Sequence, residues 1–148
     1  MRCLFLLTTQ VFDHSGGAVS ARHNTSVDGS YLKFDGAEFT GNKAVNYGGA
    51  LESIYDGEVY FKDSTFATNV AGKSGGAIYN GIDRNYYGGG NVTDSTNHGV
   101  FDLSGVNTFE NNQAGDMGGA IYNDKGGKFT LAGTNTFTGN TANGLAND

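Results

Sequence analysis

The sequence predicts an all-β fold, a right-handed parallel β-helix of about five coils with essentially no helix. Three features of the chain point there. One segment recurs four times along 148 residues with its key side chains at constant offsets. A pair of apolar residues two positions apart precedes every copy. The stretches between are rich in Gly, Asn, Asp and Ser, which tolerate turns and left-handed backbone.

The copies Phe39 to Leu51, Phe66 to Ile78 and Phe109 to Ile121 align without a gap. Each has Asn three residues after its Phe (Asn42, Asn69, Asn112) and Ala five residues after it (Ala44, Ala71, Ala114). Each closes on a glycine pair, Gly48 and Gly49, Gly75 and Gly76, or Gly118 and Gly119, followed by Ala and then Leu or Ile. A fourth copy from Phe137 carries Asn140 and Ala142 and stops before its glycine pair, as if cut mid-coil. A degenerate copy starts at Leu7, with Gln10 in the asparagine place and Gly16-Gly17-Ala18-Val19 closing it.

The apolar pairs are Leu32 and Phe34, Val59 and Phe61, Phe101 and Leu103, and Phe129 and Leu131. Period two is strand periodicity, so both members of a pair share a face. Each repeat thus offers about three short strands: the pair, the segment around the Phe, and the segment after the glycines. Stacked coils about 4.8 Å apart place like over like. This predicts columns of Phe39, Phe66, Phe109 and Phe137 pointing inward, of Ala44, Ala71, Ala114 and Ala142, and of Val19, Leu51, Ile78 and Ile121. Asn42, Asn69, Asn112 and Asn140 are expected to form an amide ladder at a bend. The paired glycines suit a tight corner or positive φ. They do not read as a phosphate cradle, because no Gly-x-Gly-x-x-Gly feeds a helix. Handedness follows only indirectly: left-handed β-helices advance by hexapeptides, and no six-residue rhythm is present.

Composition narrows the function. Glycine supplies 25 residues, Asn 16 and Thr 14, with no Pro or Trp, which is poor material for a helix bundle. The 10 Phe and 8 Tyr at fixed offsets speak against disorder. With 9 basic against 15 acidic residues and no basic stripe, nucleic acid is not an expected partner. Cys3 is the sole cysteine, so no internal disulfide can form. The apolar run Leu4 to Leu7 is shorter than a signal-peptide core or a membrane span and reads as a buried strand.

Residues 1–148 read as one β-helix domain or a fragment of a longer one, with a loop insertion over 81–97. The distance from Asn80 to Phe101 exceeds that from Asn123 to Phe129 by fifteen residues. Repeat folds place insertions on one face, often a binding face. Tyr86 and Tyr87, beside Gly88-Gly89-Gly90, are therefore a candidate recognition loop, against the plainer reading of an inert excursion. A smaller excursion runs from Arg22 to Ser30. The sequons at Asn24 and Asn91 both fall in these excursions.

Catalysis is the rival reading, since carboxylates converging on one exposed wall could act on a polysaccharide. Candidate acids are Asp63, Asp94, Asp102 and Asp116, with His98 near Asp94, but their places in the repeat differ. Asp94 and His98 alone do not make a metal site, and His14 and His23 lack a third partner at ligand spacing. No catalytic residue, cofactor or metal ligand is therefore assigned.

The recurring Phe-x-x-Asn followed by Gly-Gly-Ala-Ile or Gly-Gly-Ala-Leu resembles the repeats of the chlamydial polymorphic outer membrane protein family. Phe39 with Asn42 and Gly48 to Leu51, Phe66 with Asn69 and Gly75 to Ile78, and Phe109 with Asn112 and Gly118 to Ile121 carry the resemblance. It extends over most of residues 7–142. It implies a right-handed β-helical passenger displayed outside the cell for adhesion and antigenic variation, ahead of an outer-membrane barrel. This chain departs from the full pattern in having no convincing secretion signal and no barrel. The expectation is a non-enzymatic extracellular or cell-surface scaffold or adhesion module, outer-membrane associated if part of a longer autotransporter-like protein. The alternative is a carbohydrate-active β-helix enzyme of lyase, hydrolase or epimerase type. Expected partners are a surface protein or glycan of a host or neighbouring cell, and continuation of its own β-helix at either end.

Overall fold

A computed structural model of the chain describes residues 6–7, 11–12, 16–22, 31–54, 57–81, 99–124 and 127–146. Among them there are strands and turns but no helix. The first coil supplies β1 (Leu6–Leu7), β2 (Val11–Phe12) and β3 (Val19–Arg22). The second supplies β4 (Tyr31–Asp35), β5 (Glu38–Thr40), β6 (Lys43–Ala44) and β7 (Leu51–Ile54). The third repeats this order with β8 (Glu58–Lys62), β9 (Thr65–Ala67), β10 (Val70–Ala71) and β11 (Ile78–Gly81). The fourth has β12 (Val100–Ser104), β13 (Val106–Glu110), β14 (Gln113–Ala114) and β15 (Ile121–Asn123). The fifth has β16 (Lys128–Leu131), β17 (Thr134–Thr138) and β18 (Thr141–Ala142), followed by β19 (Leu145–Ala146).

Strands of successive coils pair in parallel to make four sheets. The first sheet runs β1-β5-β9-β13-β17, the second β2-β6-β10-β14-β18, the third β3-β7-β11-β15 and the fourth β4-β8-β12-β16. This is a right-handed parallel β-helix, as the sequence predicts. It has four walls instead of about three. The additional wall is the second sheet, whose two-residue strands at the alanine positions are too short to show a period of two.

The columns form in the predicted register. Phe39, Phe66, Phe109 and Phe137 are Cα partners in sequence, and Leu7 takes the same place in the first coil. Their rings stack at 5.0, 4.7 and 4.8 Å with interplanar angles of 8° or less. A second aromatic column from the fourth sheet meets them edge-on, with Phe61 at 5.6 Å from Phe39 and 5.0 Å from Phe66. Val19, Leu51, Ile78 and Ile121 form the column on the third sheet. Ala44, Ala71, Ala114 and Ala142 align on the second sheet and are buried. Phe39, Phe66, Phe101 and Phe109 have no exposed surface, so each contributes the full transfer free energy of a buried ring, about 1.5–3 kcal/mol before packing terms.

The long insertion does not disturb the stacking. Sheet four steps from Glu58 to Val100 and sheet one from Thr65 to Thr108, both still parallel and in register. One further residue enters at Gly105–Val106, where Val106 N–H donates to Asp63 Oδ1 at 2.8 Å. Residues 82–98 fall between β11 and β12, so the extra length enters at the corner between the third and fourth sheets. After β18, Asn143 (φ 51°) and Gly144 (φ 73°) turn the chain so that β19 pairs antiparallel with β18. Positive φ at both central residues is what a type I′ two-residue hairpin turn requires.

Candidate functional site

The repeat motif itself builds corners. At the bend between the first and second sheets, Asn42 Nδ2 donates to Asn69 Oδ1, Asn69 Nδ2 to Asn112 Oδ1, and Asn112 Nδ2 to Asn140 Oδ1, each at 2.9 Å. Each Oδ1 also accepts from the backbone N–H of the preceding asparagine in the column, at 3.0 Å. The second amide proton of Asn69, Asn112 and Asn140 goes to the carbonyl of Phe39, Phe66 and Phe109. These asparagines are essentially unexposed, and a buried amide costs free energy unless it is bonded this way. The predicted ladder is thus a structural device and offers no free group to a ligand.

The glycine pair does two separate jobs. Gly48, Gly75 and Gly118 have φ of 60°, 72° and 65°, where an L side chain is strained. Gly49 and Gly76 are crowded: a Cβ on either would run into the carbonyl oxygen of the glycine one coil on, Gly76 or Gly119. Neither glycine of the pair is exposed to bind a phosphate or any other group.

Two further polar columns were not read from the sequence. Asn107 Nδ2 donates to Asn135 Oδ1 at 3.0 Å, and Ser64 N–H to Asn107 Oδ1 at 3.0 Å, at the bend before the first sheet. At the corner after the third sheet, Asn80 Nδ2 donates to Asn123 Oδ1 at 2.8 Å, and Ser53 Oγ to the Gly57 carbonyl at 2.7 Å. A signal existed: Asn-Thr-Phe occurs at 107–109 and 135–137, and Ile-Tyr-Asn at 78–80 and 121–123.

The outer faces of the walls differ in chemistry. The first sheet presents Thr65, Thr108 and Thr136 in one column, with Glu38 as the register partner of Thr65. The third sheet presents Ser20, Glu52, Tyr79 and Tyr122 in one column. Although they alternate with inward side chains, Glu52 and Tyr79 are buried, at 0% and 2% exposure. Ser20 Oγ donates to Glu52 Oε2 at 3.2 Å, and Tyr79 OH to Asp124 Oδ2 at 3.4 Å. Tyr47 packs on Tyr79 at 4.6 Å and carries the Lys73 ammonium 5.4 Å from its ring centre.

The fourth sheet presents the most open aromatic and charged surface. Lys33, Tyr60, Asp102 and Thr130 form one outward column, and Tyr31, Glu58, Val100 and Lys128 another. Tyr31 is 61% exposed and meets Tyr60 edge-on at 5.8 Å. Tyr60 OH donates to Glu58 Oε2 at 3.0 Å. That bond, helped by partial burial and by the nearby charges of Glu58 and Asp102, raises the Tyr60 phenol above its ordinary 10.0.

The candidate acids among the described residues do not converge. Asp102 stands on the fourth sheet's outer face, Asp63 at the corner before the first sheet, and Asp116 in the turn before the third. Asp63 accepts from Val106 N–H and lies 3.9 Å from Lys62. Asp94, His98, Tyr86 and Tyr87 lie outside the described residues, as do Cys3, His14, His23, Asn24 and Asn91. Among the described residues, no group of three or more His, Cys, Asp or Glu is placed to hold a metal ion.

Residues 63–81 and 108–124 match the Chlamydia polymorphic membrane protein repeat. The two stretches begin next to Phe66 and Phe109 and end past their glycine pairs, so they include Asn69 and Asn112 of the ladder and the crowded Gly76 and Gly119. The chain is similar to that family over these stretches. No curated protein and no solved structure matches it.

Proposed function

We propose that the chain is a non-enzymatic β-helical repeat module displayed at a cell surface or outside the cell, where it acts as a scaffold or an adhesion element. The observation behind this reading is where the repeated residues go. The repeated asparagines of the ladder are spent on holding coil to coil. The candidate acids Asp63, Asp102 and Asp116 sit at three different places in the repeat, whereas hydrolysis needs two carboxyl groups facing one bond. Similarity to a membrane-protein repeat supports the surface location.

Beads coated with the protein test both halves of the reading. They should adhere to bacterial or epithelial cells above beads carrying an unrelated β-helix. Incubation of the protein with neutral and acidic polysaccharides should release no new reducing or unsaturated ends. Steady release of such ends would replace the adhesion reading with the enzymatic one.

A further inference from the structure

We propose, building on the adhesion reading, that the outer face of the fourth sheet is a binding face for neutral saccharide chains. Its centre is the right-angled pair Tyr31 and Tyr60, flanked by Glu58, Asp102 and Lys33.

Four observations lead to this ligand class. Tyr31 projects from a flat parallel wall with most of its surface open, and Tyr60 stands edge-on to it at 86°. Such a pair offers a rigid apolar platform at low conformational cost, suited to the C–H face of a pyranose ring. Secondly, the platform is ringed by groups that pair with hydroxyls. The carboxylates of Glu58 and Asp102 accept, the ammonium group of Lys33 donates, and all three are register partners of Tyr31 or Tyr60. Thirdly, the face carries Lys33, Lys62 and Lys128 against Asp35, Glu58 and Asp102, three charges of each sign. A balanced face has no net field to recruit a polyanion or a polycation, so a neutral, hydroxyl-rich chain is the complementary occupant. Lastly, the coil spacing of about 4.8 Å sets these groups at intervals comparable to the residue spacing of an extended glycan.

The Tyr60–Glu58 hydrogen bond matters here because it fixes the ring before any ligand arrives, which lowers the ordering cost of binding. Among the described residues, the other walls lack this combination. The first sheet's outer face has threonines without an aromatic platform, and the tyrosines of the third sheet stack on one another, Tyr79 on Tyr122 at 5.6 Å.

The experiment titrates the full chain with cellohexaose, chitohexaose, mannohexaose and maltohexaose, with hexagalacturonate as the acidic comparison, and follows backbone amide shifts by NMR. At least one neutral hexasaccharide should shift the amides of Tyr31–Asp35, Glu58–Lys62 and Val100–Asp102. Tyr31→Ala combined with Tyr60→Ala should weaken that binding by about tenfold or more. Thr108→Ala with Thr136→Ala, on the first sheet's outer face, should leave it unchanged. Unaltered thermal melts of the tyrosine variant exclude misfolding as the cause. The inference is overturned if no neutral saccharide binds, if only hexagalacturonate binds, or if the shifts map to another wall. Bead adhesion separates it from the adhesion reading. Adhesion that survives the tyrosine substitutions points to a protein partner and sinks the saccharide face alone, whereas absence of adhesion by the unmodified protein sinks the broader reading.

Discussion

Two sides of each coil solve the same problem differently. From the Phe of the first sheet through the asparagine bend to the glycine pair, the chain keeps one length in every complete copy: Phe39 to Gly48, Phe66 to Gly75, Phe109 to Gly118. At the corner between the third and fourth sheets, the connections span 23–30, 55–57, 82–99 and 124–127. The difference is one of bonding. Along the constant side Asn69 and Asn112 are each bonded to the asparagine above and the one below, and Gly49 and Gly76 abut the backbone of the next coil. An extra residue there would unpair buried amides and push backbone into backbone. At the other corner Asn80 and Asn123 pair once, and Asn123 is exposed. A loop added at such a place costs mainly closure entropy, which grows slowly with length. Variation therefore collects where the ladder is loose.

This contrast can be broken by mutation, and the largest effect belongs to the constant side. Gly76→Ala would drive a methyl into the Gly119 carbonyl, with backbone on both sides and nothing flexible to yield. A loss above about 4 kcal/mol is expected, seen as failure of the purified variant to show a cooperative melt by circular dichroism. Asn112→Ala is next. It removes the acceptor of the Asn69 backbone and side-chain N–H groups and the donor to the Phe66 carbonyl and Asn140 Oδ1, for a cost of about 3 kcal/mol or more in urea unfolding. Asn123→Ala, at the loose corner, should cost about 1 kcal/mol, because the bonds from Asn80 and to the Gly127 carbonyl are lost where water can replace them. An equal cost for Asn112→Ala and Asn123→Ala would erase the distinction. Deleting residues 83–97 should leave the strand content unchanged and alter stability by about 1 kcal/mol or less.

The smallest effect concerns the fourth sheet's outer face. Tyr60 gains its proton affinity in the folded state, so its contribution to stability is complete below pH 10 and fades as pH rises through its raised value. Followed by tyrosinate absorbance, one tyrosine should ionise late, and Glu58→Gln should bring it back toward the ordinary range. Unchanged titration in that variant would mean that the hydrogen bond seen at 3.0 Å does not govern the phenol.

Much of this was legible in the chain. The columns of Phe, Ala and Asn are written as equal offsets, because stacking coils turns sequence period into vertical neighbours. Asn107 and Asn135 carry the same signal two residues before their Phe, but with Ser64 and Ala37 below them the column changes identity and hides. The second sheet was hidden by brevity, since two residues have no period. The turn at Asn143-Gly144 matches a common hairpin dipeptide, yet inside an Asn- and Gly-rich chain that dipeptide carries little weight. Least legible were the outer faces. Tyr31 and Tyr60 lie in different coils and different columns, and only the register brings their rings together. The candidate loop tyrosines, Tyr86 and Tyr87, fall outside the described residues.

Register across the insertion is the claim on which the columns depend, and disulfide trapping measures it directly. Thr65 and Thr108 are partners on adjacent strands, although 43 residues apart in sequence. With Cys3→Ser as background, Thr65→Cys with Thr108→Cys should oxidise readily to an internal bridge, since Cα atoms of paired strands lie within the 4.4–6.8 Å that a disulfide spans. Ala67→Cys with Thr108→Cys, displaced by two residues along the strand, should remain reduced under the same conditions. Preferential bridging of the displaced pair, or of neither, would contradict the stacking of like residues on like.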